Sequence, residues 1–438
     1  MPRFAILGSG MAGFGAAHKL HREGLRPTIY EMKGHYGGHT ASHRFKEGFV
    51  LDEGPHISFT KNERIKELFA ESVDQEYEES QARVNNYWRG HWINHPAQCN
   101  LFSVPADLKV QIICELANQL TQETVKPENY EQWLRASFGD TFAETFPMEY
   151  TKKYHTTEAR NLSTDWVGPR IYQPTLEEVV RGAVTPDVEN VHYITQFRYP
   201  KQGGFVSYLK AFLEQADLRL KHRLVRLDPR AKMLTFANGV IEPYEHVISS
   251  IPLPELIPLI EGAPREVLEA ARRLACSEVV VVSVGIDRPD PIEAHWSYFY
   301  DADICFARLS TPHLQSRQNV PPGHSCLMAE CYYSDKYRPL DRKPEECIEP
   351  VINDLRRAGI IRDDDNVTFS TAMHLKYANI IFDLERSRAL DIVHGYLNDI
   401  GVACCGRYGL WAYIWTDQSF VSGEKAADRI LSGYRVAV

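Results

Sequence analysis

A glycine-rich segment near the start of the chain constrains the fold more than any other feature of the sequence. The short apolar run Phe4-Ala5-Ile6-Leu7 is typical of a buried strand and leads directly into Gly8-Ser9-Gly10-Met11-Ala12-Gly13. A helical pattern follows, and a second apolar strand at residues 28–30 ends at Glu31. This order predicts the first unit of a dinucleotide-binding fold: a strand, a GxGxxG turn, a helix and a second strand that ends in an acid.

Each part of this unit has a predicted role in dinucleotide binding. Gly8 permits the tight turn, Gly10 lets the backbone approach a pyrophosphate, and Gly13 lets the helix pack closely on the strand. The N-terminus of the following helix offers free N–H groups and the positive end of the helix dipole to the phosphates. Glu31 stands where an acid accepts hydrogen bonds from the adenosine ribose. The alternative is a chance glycine turn in another βαβ unit.

The composition indicates a packed protein and excludes some classes of partner. The chain has 438 residues, of which 44% are hydrophobic and 24% charged, so we expect about two or three domains. A net charge of -9 argues against a general nucleic-acid or anionic-membrane surface. The longest aliphatic run, residues 279–284, is far too short to cross a bilayer. The nine cysteines show no disulfide or metal spacing, which fits a cytoplasmic protein.

The order of predicted elements indicates that the nucleotide unit is left and re-entered along the chain. The sequence predicts helices at 62–72, 105–119, 130–138, 175–182 and 205–216, and strands at 219–227, 278–286, 304–309 and 325–333. We therefore predict an α/β fold with a discontinuous Rossmann-type domain and inserted helical and antiparallel-sheet substrate regions. The predicted boundaries are 1–60, 200–262 and 400–438 for the Rossmann-type domain, 61–199 for the helical region and 263–399 for the sheet-rich region.

Further motifs carry a family resemblance along almost the whole chain. They are Gly37-Gly38-His39-Thr40, Leu51-Asp52-Glu53-Gly54-Pro55-His56, Tyr199-Pro200-Lys201-Gln202-Gly203-Gly204, Gly406-Arg407-Tyr408-Gly409 and Asp417-Gln418-Ser419. In this order they resemble the flavin-dependent amine oxidase and protoporphyrinogen oxidase superfamily. Within that superfamily the chain is most similar to the UDP-galactopyranose mutase family, and to its longer eukaryotic members more than to the bacterial ones.

The resemblance implies that the Rossmann-type domain binds FAD. The residues implied to hold the cofactor are Gly8, Gly10, Met11, Ala12, Gly13, Glu31, Gly37, Gly38, His39, Arg407, Asp417, Gln418 and Ser419. Mutase activity would need the reduced flavin, with NAD(P)H as a candidate reductant. In such a reaction N5 of the reduced flavin attacks the anomeric carbon of the sugar and displaces the nucleotide diphosphate, and the ring recloses at another hydroxyl.

The resemblance also implies residues at the substrate. His56 corresponds to the family histidine next to the flavin ring, and Arg170 to an arginine that faces flavin and substrate. Arg308 corresponds to a mobile-loop arginine that grips the diphosphate, and Tyr377 and Tyr413 to two diphosphate-binding tyrosines. Arginine suits this task because it stays charged and offers a planar fork of donors. Charge placed there favours the departing diphosphate.

Structural explanations exist for each of these residues. Arg170 would be a surface charge or a partner of Asp165, and Arg308 would be a protective charge on an edge strand. Tyr377 and Tyr413 would be core aromatics, and His56 a structural hydrogen-bonding histidine.

Two departures from the mutase pattern keep other functions open. Lys153-Tyr154-His155 replaces the family's Lys-Val-Trp motif, and the chain is shorter than the eukaryotic enzymes. The alternatives are an ordinary flavin oxidase or dehydrogenase and a non-catalytic flavin-binding module. We expect a small-molecule substrate, with a nucleotide-linked sugar favoured, and leave the oligomeric state open. We predict no metal site, because His91, Asn94 and His95 lack a carboxylate or cysteine companion.

Overall fold

The computed structural model describes residues 3–121, 126–186, 191 and 193–436. Within these ranges the strands are β1 (Phe4–Leu7), β2 (Thr28–Tyr30), β3 (Ser42–Arg44), β4 (Val50–Asp52), β5 (Tyr77–Gln81), β6 (Val84–Trp88), β7 (His91–Asn94), β8 (Gln196–Pro200), β9 (Asp217–Arg219), β10 (Leu224–Asp228), β11 (Met233–Phe236), β12 (Ile241–Pro243), β13 (His246–Ser249), β14 (Glu278–Ile286), β15 (Trp296–Phe299), β16 (Arg308–Ser310), β17 (Ser325–Tyr333), β18 (Val367–Leu375) and β19 (Val402–Cys404).

The α-helices of the same ranges are α1 (Met11–Arg22), α2 (Glu63–Ser72), α3 (Ala106–Gln119), α4 (Tyr130–Phe138), α5 (Asp140–Ala143), α6 (Glu149–Tyr154), α7 (Leu176–Val184), α8 (Leu253–Leu256), α9 (Arg265–Arg273), α10 (Pro312–Gln315), α11 (Ile348–Arg357), α12 (Arg386–Asp399), α13 (Gly406–Leu410) and α14 (Thr416–Val436). None of the helices in the described part of the chain has both the length and the apolar character that a membrane crossing requires.

The apolar run at the start of the chain forms the central strand of a five-stranded parallel sheet. The strand order is β19-β13-β1-β2-β9, so the sheet gathers strands from three separated stretches of the chain. Both faces of β1 are covered: Phe4 and Ile6 pack into one hydrophobic cluster, and Ala5 and Leu7 pack into another. Burial on both faces explains why β1 is a continuous apolar run. The predicted α/β fold with a discontinuous Rossmann-type domain is confirmed, while the domain boundaries stay a prediction.

Helix α14 returns the chain to the glycine turn. It packs against α1 at two glycines, where the backbones come too close for a side chain. A Cβ added to Gly15 would lie 2.0 Å from the carbonyl oxygen of Phe420, and one added to Gly423 would lie 1.9 Å from that of Ala12. The last helix is therefore fixed beside the N-terminus of α1.

A seven-stranded sheet forms the second layer, in the order β18-β14-β17-β16-β15-β6-β7. Its pairs are antiparallel except β15 with β6. The central strands β14 and β17 have the bounds that the sequence predicts. Strands β6 and β7 lie within residues 61–199, where the sequence indicated mainly helix. Their polar residues, such as the half-buried Asn85 and the exposed Asn94, obscure the alternating apolar pattern of a strand.

Three predicted elements differ in the structure. The predicted strand 219–227 is divided into β9 and β10, because Lys221 adopts a left-handed φ of 59° between them. The predicted helix 205–216 is a 3₁₀ helix, Phe205–Gln215. The predicted strand 304–309 is wrong at its start: Ile304 and Phe306 are apolar because they pack in the core, and the strand begins only at Arg308.

Candidate functional site

A cavity of about 800 Å³ connects the two large sheets. One end lies at the carboxyl ends of β1, β2 and β13, and the other lies against β15, β16 and β17. In open α/β sheets, ligands bind beyond the carboxyl ends of the strands. The volume is near the upper end of the usual range for ligand pockets, about 300–1,000 Å³.

The glycine turn forms the first end of the cavity from backbone atoms. Gly10 precedes α1 and no side chain caps the helix, so the first N–H groups are available to a ligand. Gly38 lies so close to Gly10 that a Cβ on Gly38 would be 3.0 Å from the Cα of Gly10. The turns at Gly8 and Gly37, with φ of 103° and 110°, bring these loops together. Gly13 does not line the cavity: its Cβ would lie 2.0 Å from the carbonyl oxygen of Gly8, so it serves helix–strand packing.

Glu31 is fixed at the end of β2. Its carboxylate accepts hydrogen bonds from the backbone N and the hydroxyl of Ser9, at 3.0 and 2.7 Å. The backbone N of Lys33 donates to it at 2.8 Å. The acid therefore links β2 to the glycine turn and lines the cavity. Ser9 was not singled out in the sequence, because nothing local shows that its side chain reaches an acid after the second strand.

Glu53 is a second acid in the cavity wall that sequence reasoning missed. Lys33 Nζ donates to both of its oxygens at 2.8 Å, and His43 Nε2 donates to Oε1 at 3.2 Å. Burial raises the pKa of Glu53, but these bonds outweigh burial and hold the pKa at about 2. His39, a predicted cofactor residue, lies 3.7 Å from the same carboxylate, and burial lowers the pKa of this imidazole to about 4. Glu53 is therefore ionised and His39 neutral at neutral pH.

Arg170 and Arg407 reach the cavity without a carboxylate partner among the described residues. Arg170 donates to the carbonyl oxygens of Trp166 and Tyr413, at 3.0 and 2.6 Å. Its guanidinium also lies 4.8 Å from the ring centres of Tyr413 and Trp415. Arg407 donates to the carbonyl oxygen of Ile414 at 3.0 and 2.8 Å. Both positive charges are held by neutral groups and remain uncompensated.

Arg308 has a different environment. It forms a two-pronged ion pair with Glu330, whose side chain is buried, and the second contact is 2.9 Å long. Tyr332 donates to the same carboxylate at 2.8 Å. Arg308 lies at the start of a strand and not in the loop that the family resemblance implies. It lines the cavity, but Glu330 compensates its charge.

His56 and the two predicted tyrosines line the same cavity. His56 Nδ1 donates to the carbonyl oxygen of Gly54 at 2.9 Å, and burial lowers the pKa of His56 to about 4. The hydroxyl of Tyr377 donates to Glu255 at 3.2 Å, and that of Tyr413 bonds with the hydroxyl of Tyr154 at 2.9 Å.

The C-terminal motif is only partly at the cavity. Ser419 lines it, whereas Asp417 and Gln418 do not; the Gln418 side chain accepts from the backbone N of Trp415 at 3.1 Å. Of the predicted cofactor residues that remain, Met11 and Ala12 line the cavity at the glycine turn.

The segment that departs from the mutase pattern lies in the cavity wall. His155 is 3% exposed and packs against the rings of Tyr154 and Trp166. Burial lowers the pKa of His155 to about 4. Sequence reasoning missed the aromatic character of this wall because its members, Tyr150, Tyr154, Trp166, Tyr193, Tyr298 and Trp415, come from distant segments.

The sequence pattern of one family, described as flavin containing amine oxidoreductase, matches residues 11–431. The chain belongs to this family. Membership implies a flavin cofactor, FAD, for this chain. The glycine end fits such a group, since its uncapped helix N-terminus and the close loops at Gly10 and Gly38 form a cradle that side chains would fill.

Solved structures share the fold of this chain over almost its whole length. A crystal structure of reduced UDP-galactopyranose mutase has 25% sequence identity and a TM-score of 0.92, covering 99% of this chain and 96% of the other. A putative protoporphyrinogen oxidase from Exiguobacterium sp. 255-15 has 17% identity and a TM-score of 0.76, covering 98% of each chain. A putrescine oxidase double mutant has 16% identity and a TM-score of 0.67, with 98% and 99% covered. The predicted family resemblance is confirmed.

Proposed function

We propose that the protein is a flavin-dependent mutase that interconverts the ring forms of a nucleotide-linked sugar. The observation that carries this proposal is the pair of uncompensated charges, Arg170 and Arg407, in the cavity that starts at the glycine turn. Arg407 directly follows Gly406, whose added Cβ would lie 3.0 Å from the Ala12 side chain, so its charge is near the end that fits FAD. Arg170 is held instead by Trp166, Tyr413 and Trp415, and its charge favours a second anionic group. A nucleotide diphosphate is a group of this kind. The full-length likeness to a UDP-galactopyranose mutase supports the proposal.

Arg170 is suited to orient the diphosphate of the substrate. Two backbone carbonyls and two aromatic rings fix its guanidinium, so little side-chain entropy is lost when an anion binds. A fixed positive charge stabilises the departing diphosphate more than the intact substrate, because negative charge grows on that group as the sugar bond breaks. Reduced FAD, when bound, would supply the nucleophilic N5 for the sugar carbon.

His56, Tyr154 and Tyr413 are suited to hold the uncharged part of the substrate. His56 donates a hydrogen bond from Nδ1–H to the carbonyl oxygen of Gly54, so its neutral ring presents an acceptor at Nε2. The bonded hydroxyls of Tyr154 and Tyr413 can each contact a sugar hydroxyl. The surrounding aromatic wall limits water at the reacting carbon.

An amine oxidase is the second candidate, and family membership favours it. The charges in the cavity argue against a protonated amine. The carboxylates of Glu330, Glu53 and Glu255 already pair with Arg308, Lys33 and Lys376. The uncompensated cations, Arg170 and Arg407, would repel a protonated amine, and the carboxylate of Glu31, held by neutral donors, lies at the glycine end. An oxidase of an uncharged or anionic substrate stays compatible with this arrangement.

The redox requirement separates the two candidates. Purified protein with bound FAD is incubated without oxygen with UDP-galactopyranose and UDP-galactofuranose, before and after reduction by dithionite or NAD(P)H. We expect interconversion only after reduction, with no net change of flavin absorbance during turnover. Bleaching of the oxidised flavin by substrate would contradict the mutase and support the oxidase. No conversion by the reduced protein of these or other nucleotide sugars would also contradict the mutase.

We also propose that the protein works in the cytoplasm. All nine cysteines are free, which suits a reducing compartment and a source of NAD(P)H. Cell fractionation followed by immunoblotting tests this, and recovery of the protein outside the cytoplasmic fraction would contradict it.

A further inference from the structure

A cluster of two histidines and a glutamate lies at the cavity wall; Glu53 lines the cavity, whereas the two histidines do not. His35 follows β2, His43 belongs to β3, and Glu53 directly follows β4. One ligand atom from each lies within 4.8 Å of the other two. We propose that these three side chains form a zinc site of the His₂Glu type, with water as the fourth ligand. The proposal does not depend on the proposed mutase function.

The distances in the cluster are close to those of zinc coordination. Bond lengths near 2.0–2.1 Å place neighbouring ligand atoms of a tetrahedral site about 3.3 Å apart. His43 Nε2 lies 3.2 Å from Glu53 Oε1, and His35 Nε2 lies 3.9 Å from the same oxygen. The half-exposed His35 ring must move toward the other two ligands to complete the site.

The framework around the ligands also suits a metal. His43 and Glu53 are held together because His43 pairs with Leu51 across β3 and β4 and the backbone N of Glu53 donates to the carbonyl oxygen of Ala41 at 2.8 Å. His35 Nδ1 donates to the carbonyl oxygen of Tyr36 at 3.2 Å. This bond places the lone pair of His35 on Nε2, as in most metal-bound histidines. Metal binding at His43 moves its remaining proton to Nδ1.

Lys33 competes with zinc for the carboxylate of Glu53. Its ammonium donates to both oxygens of Glu53 at 2.8 Å. A carboxylate has about four lone-pair positions, so it can bind zinc through Oε1 while it keeps Lys33 on Oε2. The two cations repel each other, and removal of the ammonium should therefore tighten zinc binding.

The site shares its glutamate with the flavin cavity. Glu53, Lys33 and His39 line that cavity, whereas His35 and His43 do not. A divalent cation on Glu53 would change the electric field at the cofactor end. Zinc should therefore perturb the visible absorption of the bound flavin as it saturates the site, which gives a readout independent of turnover.

The test uses tag-free holoprotein, treated with chelator and titrated with Zn²⁺ by calorimetry and by flavin absorbance. We expect one zinc per chain in both measurements and no response to Mg²⁺, which prefers oxygen ligands. His35→Ala and His43→Ala should each weaken binding more than the 10- to 100-fold typical of an outer-shell change. His21→Ala, on the exposed end of α1, is the control and should bind as the parent does.

Lys33→Met should tighten zinc binding by at least about tenfold, because the competing cation is lost. The proposal is overturned if the parent protein shows no saturable zinc binding, or if zinc binds equally well to the parent and to the His43→Ala protein with its flavin retained. If a variant fails to fold, the zinc titration of the parent protein alone decides whether the site exists.

Discussion

The two ends of the cavity are built in different ways. The glycine end consists of backbone from segments close in the sequence, Gly8–Ala12 and Gly37-Gly38. The opposite end consists of side chains from distant segments, including Arg170 and Arg308. Backbone geometry follows from local residue types, whereas the charge that an arginine offers depends on its neighbours in space. The two ends should therefore fail in different ways when they are mutated.

The largest expected effect is at the glycine end. Gly13→Ala places a Cβ 2.0 Å from the carbonyl oxygen of Gly8, so α1 must move away from β1. We expect a loss of at least about 3 kcal/mol in unfolding free energy and loss of bound flavin. Gly395→Ala is the matched control in α12, where no atom lies within 4 Å of the added Cβ, and it should stabilise by up to about 1 kcal/mol. Denaturant unfolding and flavin content check this, and equal behaviour of the two variants would contradict it.

The next largest effect concerns the stability that the Arg308–Glu330 ion pair provides at the opposite end of the cavity. Arg308→Ala leaves the buried Glu330 carboxylate without its cation, which should lower the unfolding free energy by about 3–5 kcal/mol. Arg308→Ala combined with Glu330→Gln should recover most of that stability, because no buried charge remains. Thermal and denaturant unfolding of the single and double variants measure this. A double variant as unstable as the single one would show that the pair does not control stability.

Arg170→Ala should affect turnover and leave the glycine end intact. It removes an uncompensated charge, so we expect nucleotide-sugar turnover by the reduced protein to fall by about 10²–10³-fold. Flavin content should stay at the parent level. Arg170→Lys keeps the charge but loses the planar fork, and its activity should be intermediate. Arg265→Ala, whose side chain is 91% exposed, is the control. Parent-level turnover in Arg170→Ala would remove this residue from the proposed clamp.

A smaller effect concerns the pH dependence of the unfolding free energy. The pKa of buried His155 is about 4 in the folded protein, below its ordinary 6.5, so the folded state binds fewer protons than the unfolded state. Its stabilising contribution is complete above pH 6.5 and is lost as the pH falls toward 4, by up to about 1.4 kcal/mol per pH unit. His155→Gln should therefore flatten the pH dependence of unfolding in this window, and His21→Gln should not. An unchanged slope in His155→Gln would contradict the prediction.

The smallest expected effect is at Tyr377. Tyr377→Phe removes one hydrogen bond of 3.2 Å to Glu255, so substrate KM should rise by no more than about fivefold. Tyr413→Phe should raise the substrate KM more than Tyr377→Phe does, because it leaves the hydroxyl of Tyr154 without its hydrogen-bond partner. Steady-state kinetics with the reduced protein test this order. A larger rise in KM for Tyr377→Phe than for Tyr413→Phe would contradict the prediction.

The sequence predicts the parts of the molecule that local rules determine. The glycine turn, the parallel sheet around β1 and the bounds of α4, β14 and β17 follow from short-range patterns and agree with the structure. The start of β16 does not, because Ile304 and Phe306 are apolar for burial in the core and not for membership of a strand.

The charges at the site could not be derived from local sequence. Nothing near Arg308 shows that Glu330 compensates it, since the pair forms across two strands of the sheet. The cluster of His35, His43 and Glu53 was missed for the same reason. Its members are unremarkable along the chain and meet only because β3 and β4 form a hairpin.

The place of β19 and α14 at the end of the chain has a consequence for biosynthesis. The parallel sheet gains its edge strand only when residues 402–404 have left the ribosome, and the glycine contacts at Gly15 and Gly423 form later still. A nascent polypeptide therefore carries the dinucleotide turn before the walls that surround it exist. The complete coenzyme cradle can form only after α14 has been synthesised.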